Sequence, residues 1–188
     1  MSRVSMSQIP DSGKLKQPIG DRDRVQGATQ AAIVSVKYGN YQCPHCYKAN
    51  RLIPQLQQRL ENDLCYVFRH FPIPSLHPQS QRAAEAAEVT GEQGKFWEMH
   101  HILFEHQHAL DDGFLVEYAL NLGLNMPRFL WSFSERVYSN RVRADFLSGM
   151  EYGVTRKPTF FLNGLRLKDN WHLDTLLYEI ENVKRSNS

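Results

Sequence analysis

Cysteine is scarce in this 188-residue chain: there are three, and no second Cys-x-x-Cys or His-x-x-x-His accompanies the first pair. That scarcity counts against a zinc site, which needs about four ligands. It also counts against a scaffold stapled by disulfides. Long apolar runs are missing too, since none approaches the roughly 20 residues of a membrane span. Excess charge of one sign is absent: the net charge is +2, too small to argue for nucleic acid or an anionic membrane as partner. Residues 1–27 are polar and hold no apolar segment of the kind a secretory signal carries. Read as complete, the chain is expected to be cytoplasmic; a mature form trimmed of its signal would read the same. There is no internal repeat or low-complexity tract. What remains is an ordinary globular composition, 41% hydrophobic and 22% charged, long enough for one core with an insertion or for two small lobes.

The stretch that stands out is Cys43-Pro44-His45-Cys46. An apolar run precedes it (Ala31, Ala32, Ile33, Val34, Val36), and a helical pattern follows, with Ala49, Leu52, Ile53, Leu56 and Leu60 on one face. The motif therefore joins a strand to a helix. Pro44 suits the first helical position, where its missing N–H costs nothing. Cys43 then sits at the helix N-terminus, where unpaired N–H groups and the helix dipole favour a thiolate, the reactive form. Cys46 follows about one turn on, within reach for a disulfide. Metal binding and inert structural thiols are the rival readings, and the strand–Cys-x-x-Cys–helix context favours redox chemistry over both.

Residues 1–24 read as an arm, with Pro10, Gly13, Pro18 and Gly20 among charges. Residues 32–38 read as the first strand, with Val34, Val36 and Tyr38 on one face and Ile33, Ser35 and Lys37 on the other. A helix from Pro44 to about residue 62 should kink at Pro54. Residues 64–70 are a second strand, which completes a right-handed βαβ unit. After the prolines 72, 74 and 78 the pattern is helical for about seventy residues, in segments near 81–89, 96–106, 112–122, 127 onward and 140–152. Asp111 and Asp112 suit the start of the third of these. Residues 159–162 are a strand, Asn163-Gly164 a hairpin turn, and 165–167 the returning strand. Residues 174–184 form a closing amphipathic helix. The division expected is an arm (1–24), a βαβ–ββα domain (25–75 and 151–188) and an inserted helical domain (76–150).

That order, the CPHC and Val154-Thr155-Arg156-Lys157-Pro158-Thr159-Phe160-Phe161-Leu162-Asn163-Gly164 resemble the DsbA-like branch of the thioredoxin superfamily. The likeness covers about residues 20–185 and extends to Arg69-His70-Phe71-Pro72 and Gly94-Lys95-Phe96-Trp97. It implies an α/β thioredoxin fold in which Pro158 is cis and lies against the thiols. It further implies that the backbone before Pro158 pairs with an extended substrate peptide. By resemblance Cys43 is the nucleophile, Cys46 the resolving thiol and His45 the thiolate tuner, with Pro44 completing the motif. Two positions depart from the family. The acidic residue usual six positions before the first cysteine is Lys37, a candidate tuner. The residue before the cis-proline, usually threonine or valine, is Lys157, and Arg156 stands where glycine is common.

The function expected is thiol–disulfide oxidoreductase. The Cys43 thiolate attacks a disulfide sulfur and Cys46 resolves the mixed disulfide; the reverse oxidises a dithiol. No cofactor is required beyond the redox-active pair. Partners would be protein or peptide thiols and disulfides, with glutathione a candidate reductant whose carboxylates would suit Arg156 and Lys157. The alternative is a glutathione-dependent transferase or isomerase on a related fold, which needs no second cysteine; a redox-insensitive adaptor would need no Cys-x-x-Cys at all. Oligomeric state stays open. His100, His101, His106 and His108 read as surface or capping residues rather than a metal site, Cys65 as a core residue, and Trp97 and Trp131 as core. Tyr41, Phe71 and Pro72 are read either as lining an apolar groove or as packing.

Overall fold

The structure, a computed structural model, describes residues 15, 19–167 and 171–186. Its elements in chain order are β1 (Arg24–Gly27), β2 (Ile33–Gly39), α1 (Pro44–Asn50), α2 (Ile53–Leu60), β3 (Leu64–His70), α3 (Ser80–Gly91), α4 (Phe96–Glu105), α5 (Asp112–Asn121), α6 (Met126–Ser134), α7 (Ser139–Glu151), β4 (Thr159–Leu162), β5 (Leu165–Arg166) and α8 (Leu173–Ser186). One mixed sheet runs β1-β3-β2-β4-β5. The central pair β2 and β3 is parallel, Ile33 opposite Leu64 through Gly39 opposite His70. The other three pairings are antiparallel. This is the α/β thioredoxin fold expected, with α3 to α7 between β3 and β4.

Both faces of the sheet are buried, which is why β3 reads as a continuous apolar run rather than an alternation. Ile33, Tyr66, Phe68 and Phe160 face one layer, made by α1, α2, α8 and the helical block. Val36, Tyr38, Val67 and Phe161 face the other, closed by Phe71, Tyr152, Val154 and the partly buried Phe146 of α7. Leu15 and Ile19 pack on that second layer, and the Leu15 N–H donates to the Gly164 carbonyl at 2.7 Å. Residues 1–14 and 16–18 of the expected arm lie outside the described residues.

Three sequence expectations are corrected. Residues 32–38 are not the first strand: β1 precedes them and begins at Arg24, inside the stretch read as arm. Four residues of mixed polarity carry no alternation to read; β1 exists because the edge of β3 supplies its ladder. The helix from Pro44 is not one kinked helix but two. α1 stops at Asn50 because Pro54 has no N–H for the Asn50 carbonyl and its ring crowds that carbonyl. The chain restarts as α2 with Pro54 in its first turn, where a proline is harmless. The third, Trp131, is 63% exposed on α6 rather than in the core.

Charge is also buried in the frame. The Glu88 carboxylate on α3 accepts from Arg24 of β1 and from His70 Nε2 of β3, the latter at 2.9 Å. Asp145 of α7 accepts the His70 backbone N–H at 2.9 Å. His70 and Arg24 hold the Glu88 carboxyl at about 2, against its burial, which pushes the other way. The four-element seam ties the helical block to the sheet directly behind the redox motif.

Candidate active site

β2 ends in a turn and delivers Cys43 to the N-cap of α1, with extended backbone there and Pro44 in the first turn. The turn is rigid for local reasons. The Asn40 carbonyl accepts from Cys43 N at 3.2 Å, and Asn40 Oδ1 from Gln42 N at 2.8 Å. Tyr41 is buried against Phe68 and Phe104, and Gln107 donates to the carbonyls of Tyr41 and Cys43. Tyr41 and Phe71 are packing residues, whereas Pro72, though buried, lines a separate cavity away from the thiols.

The two thiols of the motif are free and unequal. Cys43 is 4% exposed and Cys46 not at all. A hydrogen bond from the Cys46 side chain pulls the Cys43 thiol down to about 5. Burial opposes this, and the backbone N–H groups of Cys46 and His45 and the Lys157 charge reinforce it. Burial first, then the bond to Cys43, pushes the Cys46 thiol well above its ordinary range. One sulfur is thus an anion at neutral pH and its neighbour a proton donor.

The Lys157–Pro158 peptide is cis, and Cys43 Sγ lies 3.9 Å from the Lys157 carbonyl oxygen. Pro158 is buried, Lys157 half-buried and Arg156 exposed. His45 is exposed at the helix tip and lines a cleft of about 220 Å³ with Arg156, Lys157, Pro158, Trp171 and His172. Burial lowers Lys157, and the two thiols pull it back up. A larger cavity of about 420 Å³, between Pro72, Pro74, Arg136, Arg143 and Phe146, touches none of the redox residues.

Lys37 is wholly buried beneath the motif. Its Nζ donates to Asn50 Oδ1 at 3.0 Å and to the Cys46 carbonyl at 3.5 Å, and lies 4.8 Å from the centre of the Phe104 ring. Burial lowers Lys37 to about 7, with Cys46 and then Cys43 acting in the opposite direction. Its ammonium therefore does not reach water.

Sequence reasoning missed five residues here. Trp171 and His172 come from the segment before α8, far along the chain. Gln79 and Gln42 form a reciprocal pair, Gln42 Nε2 donating to Gln79 Oε1 at 3.1 Å and Gln79 N to Gln42 Oε1 at 2.9 Å. That clamp fixes the loop carrying His77, whose imidazole senses Cys43; burial and Lys157 lower it and Cys43 raises it. His77-Pro78 in a turn carries no signal of this. Among the expected histidines, His100 is buried and the other three are exposed. No three His, Cys, Asp or Glu side chains gather to hold a metal among the described residues. Cys65 is buried in β3, and Trp97 packs on the core and donates to the Val25 carbonyl at 3.2 Å.

A shielded and an ionised thiol on a helix tip, opposite a cis-proline loop on this sheet, make up the candidate active site. The chain belongs to the thioredoxin family: the family model described as Thioredoxin matches residues 20–182. Among curated proteins it is 37% identical over 179 residues to Na(+)/H(+) antiporter NhaA 1 of Mycolicibacterium vanbaalenii, covering 92% of this chain and 28% of that protein. It is 33% identical over 163 residues to Na(+)/H(+) antiporter NhaA of Herminiimonas arsenicoxydans, covering 87% and 26%. The chain thus spans about a quarter of the length of these relatives, and the antiporter name belongs to those longer proteins. Among solved structures, oxidised BdbD from Bacillus subtilis superposes with a TM-score of 0.78 at 23% identity, covering 89% of this chain and 95% of that one. The alpha-DsbA1 of Wolbachia pipientis gives 0.78 at 20% identity, covering 92% and 95%. At these identities the likeness is one of fold, and the fold is DsbA-type.

Proposed function

We propose that the protein is a thiol–disulfide oxidoreductase that exchanges a Cys43–Cys46 disulfide or dithiol with protein or peptide partners. The observation that carries this is the placement of two free thiols at the start of α1, Cys43 against the Lys157 carbonyl before cis-Pro158 and Cys46 wholly buried behind it. A transferase that only binds glutathione has no use for that pairing. The cleft favours the same reading. At about 220 Å³ it falls below the roughly 300–1,000 Å³ of small-molecule pockets, and suits one or two side chains of an extended peptide. Its Arg156 and Lys157 favour acidic partners, and glutathione enters as one small example of that chemistry. The electrons reside in the cysteine pair, and no bound cofactor takes part.

Insulin-disulfide reduction tests this. Cys43→Ser should abolish it, and Cys46→Ala should accumulate covalent mixed disulfides with substrate. Full activity in Cys43→Ser removes the motif as the reaction centre.

A further inference from the structure

The cavity of about 420 Å³ between the loop that leaves β3 and the start of α7 has no part in thiol chemistry. Its volume falls within the roughly 300–1,000 Å³ of small-molecule sites. Pro72, Pro74 and Phe146 supply apolar lining, and Phe71 braces the Phe146 ring, with centres 4.7 Å apart. Arg136, Asn140 and Arg143 are among its polar lining, and no carboxylate lines it.

Arg136 is fixed in place. Its backbone lies in the left-handed region, φ +53°, at the turn after α6. There the Arg136 N–H donates to the Phe133 carbonyl at 3.3 Å and the Val137 N–H to the Ser132 carbonyl at 3.1 Å. These bonds close a helix end at a position that glycine suits best. An arginine there accepts backbone strain, and its side chain is anchored in return. Nε and Nη2 donate to Glu85 at 3.1 and 2.7 Å, and that carboxylate is 1% exposed. One edge of the guanidinium fork is spent in this pair, and Nη1 is left unbonded among the described residues.

The charges around it do not balance. Arg82 also pairs with Glu85, at 3.1 Å, and with Asp112, at 2.8 Å. Two guanidiniums thus meet two carboxylates. Arg143 adds a third cation, which makes no ion pair or hydrogen bond among the described residues. A solitary exposed arginine is ordinarily just solvated. Here it shares a concave site with an anchored second guanidinium and an apolar lining.

We propose that this cavity binds a carboxylate carried on an apolar body. The carboxylate sits between Arg143 and the unspent Nη1 of Arg136, because a guanidinium fork matches the two oxygens of a carboxylate. The apolar body covers Phe146, Pro72 and Pro74 and removes them from water. The site is separate from the thiols and does not depend on the exchange reaction. It is nonetheless coupled to them in sequence: the His77 N–H donates to the Ile73 carbonyl at 2.8 Å, so one tight turn joins the prolines of the cavity to the segment that Gln79 clamps to Gln42. A small organic acid and an acidic residue next to an apolar one in a peptide offer the same chemistry.

The test titrates three probes into the reduced full chain, uniformly nitrogen-labelled, and follows the backbone amide signals of Asn140 and Arg143 by NMR. The probes are phenylpropionate, its neutral amide, and the peptide N-acetyl-Phe-Glu-amide. At least one of the two carboxylates should give saturable shifts, with phenylpropionamide about tenfold weaker than its acid where the acid binds. Binding by the peptide alone assigns the site to a peptide segment, and binding by phenylpropionate alone assigns it to a small acid. Arg143→Gln should weaken binding about tenfold, the low end for hydrogen bonds to a charged group. Asn140→Asp sets a carboxylate in the cavity and should weaken it by at least about as much. Both positions are exposed, so neither change disturbs the core. Cys43→Ser should bind the probes as wild type does, which keeps failure of this site distinct from failure of the exchange reaction. No saturable shift from either carboxylate, equal affinity for phenylpropionate and its amide, or unchanged affinity in Arg143→Gln and Asn140→Asp overturns the inference.

Discussion

The hydrogen bond between the two cysteines sets the chemistry of the centre, and removing it has a calculable cost. Cys43 ionises at about 5 rather than its ordinary 9.0. At pH 7 the thiolate is therefore favoured by about two pH units, or about 3 kcal/mol at roughly 1.4 kcal/mol each. In a two-electron couple that energy makes the disulfide more oxidising by roughly 60 mV. The sign is that of an acid whose folded pKa is depressed. The stabilisation of the reduced protein is complete only above about 9, and it is lost as pH falls through about 5. A hydrogen bond to a charged group is worth about 1.5–3 kcal/mol, so Cys46→Ala should raise the Cys43 midpoint by roughly 1–2 pH units. Thiolate absorbance in the ultraviolet, followed from acid to alkaline pH on reduced protein, measures both midpoints. Iodoacetamide labelling at mildly acidic pH should find Cys43 in wild type and not Cys46. A wild-type midpoint near 9 would refute the thiolate reasoning altogether. A low midpoint unchanged in Cys46→Ala would assign the effect to the helix N–H groups instead.

Two further outcomes follow from charges on and within the frame. In Arg156→Gly/Lys157→Thr, exchange with oxidised glutathione should slow a few-fold relative to a neutral small disulfide, and added salt should shrink the difference, because exposed pairs contribute only about 0–1 kcal/mol; equal slowing of both disulfides contradicts electrostatic selection. Glu88→Ala leaves His70 and Arg24 without their buried carboxylate and should cost about 3–5 kcal/mol in urea unfolding. Since Glu88 is depressed to about 2, its contribution in wild type should be complete above about 4.5 and lost only as pH falls through about 2.

Much of this site is legible in the chain because its chemistry is local. The helix-start pattern at Cys43-Pro44, the apolar run of β3 and the Asn163-Gly164 turn each follow from neighbours in sequence. Asn163 and Gly164 indeed have φ of +44° and +82°, as a tight hairpin turn requires. Asp111 caps α5, accepting from Gly113 N and Phe114 N. The resemblance to a known family supplied what locality could not, the approach of the Lys157 carbonyl to Cys43. What stayed hidden depends on partners distant in sequence. β1 is a strand only beside β3. His100 reads as one of four crowded histidines until α4 packs on α1 and brings it to Asn50. Trp171 and His172 gain meaning from where α8 begins. Lys37 was visible as an anomaly in sequence, but its burial, which sets its chemistry, was not.

The Gln42–Gln79 clamp has a consequence of its own. During turnover the charge at the helix tip appears and vanishes as Cys43 ionises, bonds and is released, while Lys37 and His77 lie within its field. Two primary amides bonded to each other hold no proton that pH or redox state could move. The loop is therefore moored to the active-site turn by a contact indifferent to that electrical cycle.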